Sequence, residues 1–190
     1  MTKQIYLIFA MILFLALDSY ADPSTPSDRN QLNKGHLHEV SMGLLAHDVD
    51  NLWSGSKKES GVDVNAEIVF KRPRRNLLHG RIRPNLGISV NNQGDTSKIY
   101  GGILWELASK SLFFNIGIGV ALHDGELEAK KDDKKGLGAR VLFRIPIETG
   151  LTIHGRHRFS ILFEHISNGY LAHPNEGLDS FGLRYSVLFN

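Results

Sequence analysis

The stretch HRFSILFEHISNG, residues 157–169, decides how the rest of the chain is interpreted. Apolar and polar residues alternate along it with a period of two, a pattern that is typical of a β-strand with one apolar face. Phe159 and Phe163 lie on that face, and His165 and Ser167 continue the same parity. In a soluble sheet these two polar side chains would be core residues that need buried partners. In a membrane sheet they would form a polar site that faces lipid.

The first 21 residues predict export. Lys3 precedes the apolar run 5–17, and residues 19–21, Ser-Tyr-Ala, form a small-x-small cleavage site. This arrangement is typical of a secretory signal peptide, so we assign residues 1–21 to a cleaved signal. A membrane anchor is the alternative, but the apolar run is too short to span a bilayer comfortably.

The composition narrows the class of protein. The chain has no cysteine, so a secreted protein of this sequence needs another source of stability, such as a closed sheet or a lipid environment. Its 19 glycines and few helix-period segments favour β structure. The formal charge of +2 is too small to indicate a nucleic-acid partner, and we expect none.

Eight segments with period-two alternation predict eight β-strands. Their approximate bounds are 39–47, 65–71, 81–91, 99–107, 112–123, 139–145, 157–169 and 179–189. Charges of both signs recur on the polar faces of these segments. A soluble barrel would expose those charges to water, whereas a small membrane barrel would enclose them as a salt-bridged core and turn its apolar face to lipid.

Periodicity alone does not choose between these two barrels, but three other features favour the membrane. The chain has an export signal, the number of strands is even, and the last strand alternates large apolar residues up to Phe189. We therefore predict an all-β fold, an eight-stranded antiparallel transmembrane β-barrel of the outer membrane formed by residues 36–190. Residues 22–35, rich in Pro, Ser and Asn, are interpreted as a periplasmic leader.

Isolated buried charges are costly, so the interior arginines must be paired. We expect at least two of four arginines to pair with three glutamates on the same face. The arginines are Arg81, Arg140, Arg158 and Arg184, and the glutamates are Glu67, Glu106 and Glu164.

Connector lengths predict the orientation of the barrel. With the N-terminus in the periplasm, the connectors after strands one, three, five and seven lie outside, and most exceed the predicted periplasmic turns 108–111 and 146–151. The seventh strand then ends at the outer rim. His165 and Ser167 would face the outer leaflet there.

Three residues at this rim are suited to ester hydrolysis. Side chains two apart on a strand emerge on the same face, so His165 can serve Ser167 as a general base. Asp179 opens the neighbouring antiparallel strand with the lipid-facing parity and can orient the histidine. The alternative, which geometry leaves open, is a set of polar rim residues at headgroup level.

Two motifs in the last third of the chain carry a family resemblance. HISNG at 165–169, followed by PNEGLDS at 174–180, resembles the lipid A 3-O-deacylase family (PagL-like). The stretches RPNLG at 83–87, GDTS at 94–97 and YGG at 100–102 are also similar to that family. The resemblance implies an eight-stranded outer-membrane barrel that hydrolyses the ester-linked 3-O acyl chain of lipid A, without a metal or other cofactor.

The resemblance also implies roles for individual residues. His165 would be the base and Ser167 the nucleophile of a Ser-His-acid triad. Asp179 stands where the family pattern usually has Glu, and Glu176 in the preceding loop is the alternative acid. Asn168 matches the oxyanion-hole position, against its simpler interpretation as a turn residue.

The expected partners are lipid A or lipopolysaccharide and outer-membrane lipid, with a homodimer as a further option. A non-enzymatic outer-membrane barrel for adhesion or envelope integrity is the main alternative function, and a soluble periplasmic carrier is a third. We interpret His36 and His38 as an exposed tail pair rather than metal ligands, because no third ligand is near in sequence. The lysines between 130 and 135 are interpreted as a solvated loop that could contact lipid A phosphates, and Trp53 as a membrane-interface residue.

Overall fold

The structure is a computed structural model that describes residues 36–71, 76–128 and 130–189. The predicted signal peptide (1–21) and leader (22–35) lie outside the described residues. In the described part of the chain, no helix has the length and apolarity needed to cross a membrane.

Eight long strands form the barrel. They are β1 (Leu37–Ala46), β2 (Val62–Phe70), β3 (Gly80–Asn91), β4 (Lys98–Ala108), β5 (Leu112–His123), β6 (Val141–Ile153), β7 (His157–Ser167) and β8 (Leu178–Leu188). Each strand pairs antiparallel with the next in sequence, and β1 pairs with β8, so the sheet closes on itself. A two-residue strand, Asn76–Leu77, adds to the start of β3. The predicted eight-stranded antiparallel barrel is confirmed.

The sixth strand is longer than predicted. Its expected end was Ile145, and residues 146–151 were expected to form a turn, but β6 continues to Ile153 and the turn is at 154–156. Pro146 lies inside this strand although proline lacks the N–H that a sheet ladder needs. The ladder with β5 is interrupted on either side of it, between the pairs Ile116↔Ile147 and Gly119↔Arg144. Gly117 on β5 leaves room for the ring, since a Cβ there would lie 3.1 Å from Cγ of Pro146.

The outer face of the barrel is an apolar surface. Alternate positions of the strands expose large apolar side chains, among them Met42 at 60%, Leu86 at 57% and Leu183 at 67%. A continuous surface of this kind would be exceptional on a soluble monomer. It matches the outward apolar band of a membrane barrel.

We expect Leu86→Arg to block assembly or to destabilise the barrel by about 2–4 kcal/mol, because a cation facing the hydrocarbon near mid-strand is poorly solvated. Leu86→Ala is the matched control, since it shortens the same side chain without adding charge. Folding is read from the heat-modifiable mobility of the barrel on gels. Normal heat-modifiable folding of Leu86→Arg alongside Leu86→Ala would count against the lipid-facing assignment.

The interior holds buried ion pairs. Glu67 accepts from Arg184 at 3.0 Å and from Arg144 at 3.3 Å. Arg158 donates to Glu106 at 2.9 Å, so two of the four named arginines pair with the named glutamates, as predicted. Glu164 contacts Arg144 and also Lys98, the latter at 2.9 Å. These contacts supply the partners that buried charges require.

Two of the predicted interior arginines are not interior. Arg81 and Arg140 are exposed, and within the described residues neither forms an ion pair with a glutamate. Arg140 precedes β6 and donates instead to the carbonyl of Gly125 at 2.5 Å. Both lie near the barrel ends, where a side chain of interior parity can reach solvent. Arg83, two residues after Arg81, and Arg144, four residues after Arg140, hold the interior positions.

Candidate active site

One end of the barrel carries the long connectors 47–61, 92–97, 124–140 and 168–177, and we call it the long-loop end. The opposite end has shorter turns, including 109–111 and 154–156. His165 and Ser167 are the last outward-facing residues of β7, at the long-loop end. Asp179 lies directly opposite His165 in the β7–β8 ladder. Antiparallel pairing of the two last strands thus brings together residues that are 14 positions apart.

These three side chains form one hydrogen-bonded chain. Nδ1 of His165 lies 2.7 Å from Oδ1 of Asp179, and Nε2 lies 3.0 Å from Oγ of Ser167. When Nδ1–H donates to the carboxylate, Nε2 has a lone pair that accepts the serine hydroxyl proton. This is the geometry of a nucleophile beside a base that a third group orients.

The connector 47–61 covers this chain from outside the barrel wall. The backbone N–H groups of Trp53 and Ser54 donate to Oδ2 of Asp179 at 2.6 and 2.7 Å. The Trp53 indole stacks on the His165 ring with centroids 4.6 Å apart and planes 14° apart. His165 is therefore only 6% exposed and Asp179 is fully buried, although their parity points outward.

An apolar groove begins at the covering loop. It has a volume of about 650 Å³ and is lined by Leu52, Trp53, Phe163 and Phe181. Phe163 precedes His165 by two residues on the same face of β7, and Phe181 pairs with Phe163 across the ladder. The groove is therefore an open apolar depression on the outer wall of the barrel, beside the Trp53 ring that stacks on His165.

Comparison with known proteins decides the family. The family model described as lipid A 3-O-deacylase (PagL) matches residues 50–187, well over half of the chain. This chain belongs to the lipid A 3-O-deacylase (PagL) family. No curated protein matches it.

Two solved structures are similar to this chain, and the first of them supports the fold. The crystal structure of the outer membrane enzyme PagL is similar with a TM-score of 0.55 and 21% identity, covering 78% of this chain and 98% of that one. The Yersinia pestis outer membrane protein Ail gives a TM-score of 0.49 at 7% identity, over 82% of this chain and 100% of Ail. The deacylase family and the barrel fold place this protein in the outer membrane.

Glu176, the alternative acid in the family motif, has other partners. Its carboxylate accepts from Nζ of Lys58 and from the backbone N–H of Gly136, both at 2.6 Å. Partial burial raises the pKa of Glu176, but the bonds from Lys58 and Gly136 outweigh it and hold that pKa below its ordinary value. Among the described residues it makes no hydrogen bond to His165. In this structure the carboxylate that bonds His165 is therefore Asp179 and not Glu176.

Asn168, predicted at the oxyanion position, is tied to two loops. Its Nδ2 donates to the carbonyls of Leu137 and Pro174, both at 2.9 Å. Its backbone N–H donates to Oδ1 of Asn175 at 3.0 Å. Both amide hydrogens are engaged in this arrangement, so the oxyanion role stays a prediction. The amide fixes the connectors 124–140 and 168–177 against the end of β7.

Buried charges hold the long loops together. Oδ2 of Asp48 accepts from the backbone N–H groups of Lys58 and Glu59, at 2.6 and 2.9 Å, and Oδ1 forms an ion pair with Nζ of Lys135 at 3.2 Å. Lys135 also donates to the carbonyl of Ser56 at 2.8 Å. Glu59 accepts from Thr96 N–H at 3.1 Å. Burial raises the pKa of Glu59, but hydrogen bonds from His47, Thr96 and Lys135 bring it down to about 2.

The lysine loop therefore differs from its prediction. Lys135 is 1% exposed and fixes the covering loop instead of lying in water. Lys134 pairs with Asp95. Lys130 does lie in solvent, where it pairs with Glu128. The local sequence does not indicate that Lys135 is buried, because its partners Asp48 and Ser56 are distant in sequence.

The prediction that His38 belongs to an exposed tail pair is wrong. His38 lies in β1, with its side chain 13% exposed, and its Nε2 is 3.1 Å from Oε2 of Glu106. Within the described residues, His38, Glu39 and Glu106 form the one group whose ligand atoms lie within 4.8 Å of one another. Nη1 of Arg158 is 2.6 Å from Glu39 and 2.9 Å from Glu106. The guanidinium neutralises the carboxylates that a metal would need.

Proposed function

We propose that the protein is a serine esterase of the outer membrane that hydrolyses the ester-linked acyl chain at position 3 of lipid A. The observation that carries the proposal is the bonding of His165 to both Asp179 and Ser167 on a lipid-facing wall. Membership of the lipid A 3-O-deacylase family supports the choice of substrate.

The chemistry follows from the bonded chain. Oγ of Ser167 attacks the acyl carbonyl carbon, and Nε2 of His165 takes the serine proton. Asp179 holds the ring and stabilises the imidazolium. His165 then gives the proton to the departing sugar oxygen, which leaves as the free 3-hydroxyl. Water, deprotonated by His165, attacks the acyl–Ser167 ester. Oγ of Ser167 leaves and takes that proton back from His165, and the fatty acid is released.

We place the long-loop end outside the cell, so that the site lies in the outer leaflet. Long external loops and short periplasmic turns are the usual pattern of these barrels, and the connector lengths follow it. The apolar groove along Phe163 and Phe181 would receive an acyl chain of the substrate. A chain lying there would approach Ser167 from the lipid side.

We assign the oxyanion contact to Asn168, which follows the nucleophile directly. Its amide would have to exchange its bond to Leu137 or Pro174 for one to the oxyanion. Removing one such donor typically lowers kcat by about 10²–10³.

The acid of the triad can be identified by comparing two carboxylates. We expect Asp179→Ala to reduce deacylation strongly, though less than loss of the nucleophile, because the carboxylate orients the base without touching substrate. Asp179→Glu should keep substantial activity. Glu176→Ala, the matched control, should cost less than Asp179→Ala, since Glu176 bonds Lys58 and Gly136. A more damaging Glu176→Ala, measured as initial rates on purified lipid A, would reassign the acid.

The proposal is tested directly with the purified barrel in detergent and isolated lipid A. We expect release of a free 3-hydroxy fatty acid from the 3-position, with the amide-linked chains retained. Lipid A already lacking the 3-O chain is the control and should release nothing. Intact substrate after incubation with folded protein would contradict the proposal.

A further inference from the structure

The covering loop, 47–61, touches both the proposed base His165 and its carboxylate partner Asp179. Trp53 and Ser54 N–H groups hold Oδ2 of Asp179, which leaves Oδ1 for His165. The Trp53 ring lies flat on the imidazole at 4.6 Å. At another edge of the imidazole, a Cβ on Gly177 would lie 3.2 Å from Cε1 of His165. The ring is thus bounded on one face and one edge in the orientation that bonds both Asp179 and Ser167.

The loop that delivers Trp53 is itself firmly anchored. Asp48 accepts from two backbone N–H groups on the far side of this loop, and buried Lys135 forms an ion pair with Asp48 and donates to the carbonyl of Ser56. Trp53 stands between these anchors with 57% of its surface exposed. The position of the Trp53 ring over His165 is therefore fixed by the anchored loop.

The indole acts most strongly on one state of the histidine. His165 becomes an imidazolium when it takes the proton of Ser167, and the face of a tryptophan attracts a cation close above it. The attraction is weaker for the neutral ring. An interaction that strengthens as charge develops lowers the barrier of the chemical step rather than tightening substrate binding alone.

We infer that Trp53 is a positioning residue for the catalytic base: its indole fixes the His165 ring and stabilises the imidazolium formed as Ser167 attacks. This rests on the proposed esterase mechanism, which supplies the protonated intermediate. Trp53 also forms a wall of the apolar groove, so the loop joins the acyl-chain subsite to the base.

The test uses a fluorophosphonate probe, which does not depend on lipid A. Ser167 Oγ bonds to phosphorus, the P–F bond breaks, fluoride leaves and His165 takes the proton. We expect Trp53→Leu to slow the maximal labelling rate by about tenfold and Trp53→Phe, which restores an aromatic face, by less than about threefold. Trp105→Leu is the matched control and should label at the wild-type rate. Trp105 lies on β4, where its Nε1–H donates to the carbonyl of Leu77.

A spectroscopic measurement tests the stack itself. The chain has two tryptophans, so Trp105→Phe leaves Trp53 as the sole indole emitter. An imidazole stacked on an indole changes the emission of that indole. Adding His165→Gln, which removes the imidazole, should therefore change the emission of Trp53.

The two arms separate the outcomes. Wild-type labelling of Trp53→Leu, or an emission profile unchanged by His165→Gln, would overturn the inference. If the wild type labels at Ser167 yet leaves lipid A intact, the proposed substrate is wrong. The labelling rates of the Trp53 variants still test the role of Trp53 in that case. If the wild type does not label, the serine mechanism and this catalytic role fall together, whatever the emission shows about the stack.

Discussion

Ser167→Ala is expected to abolish deacylation while leaving a folded barrel. The hydroxyl oxygen is the atom that would bond to the acyl carbon, and it lies at the end of β7. Among the described residues its side-chain hydrogen-bond partner is His165, so its loss disturbs little else. We expect kcat/KM on lipid A to fall by at least about a thousandfold. His165→Ala should fall as far, because the serine then has no base.

The double variant distinguishes a catalytic unit from two independent contacts. Members of a triad act together, so Ser167→Ala/His165→Ala should be scarcely slower than either single variant. Ser160→Ala is the control on the same strand. Its hydroxyl points into the barrel and donates to Glu148 at 2.7 Å, so the change should leave the rate unaltered. Retention of full activity by Ser167→Ala would end the esterase mechanism.

Glu67→Leu is expected to have the largest effect on stability. Glu67 is 2% exposed and accepts from Arg144, Arg184 and Asn85. Removing it leaves two buried guanidinium groups without that counter-charge, and breaking a buried pair from one side typically destabilises by about 3–5 kcal/mol. Urea titration of the folded barrel in detergent, followed by tryptophan emission, measures the change.

Glu128→Leu is the matched control for Glu67→Leu. Glu128 pairs with Lys130, and both side chains are mostly exposed, at 67% and 70%. Exposed pairs contribute about 0–1 kcal/mol, so this variant should unfold close to the wild-type urea concentration. Equal destabilisation by the two variants would contradict the salt-bridged interior.

The sequence predicts the barrel and the outward site because both depend on local alternation. Parity alone sets Phe163, His165 and Ser167 on one face, and antiparallel pairing of neighbouring strands brings Asp179 beside the histidine. The same reasoning ended β6 too early. Pro146 is tolerated within that strand because Gly117 makes room for it on β5, and such a pairing is visible only once the register is known.

The sequence alone does not predict that the connector 47–61 covers the site. Trp53 lies over His165 because Asp48 and Lys135 shape its loop, and these residues belong to different connectors. Nothing local marks Lys135 as buried, since it stands in a run of lysines and aspartates. Likewise, the motif predicts a role for Asn168 but does not show that its amide ties two loops.

The most direct measurement is the mass of lipid A from Gram-negative cells that lack 3-O-deacylation and express this chain. With the wild-type protein we predict lipid A lighter by one 3-hydroxyacyl group, and with Ser167→Ala, present at the same level in the outer membrane, an unchanged mass. Identical lipid A masses in the two strains, with both barrels folded, would contradict the account.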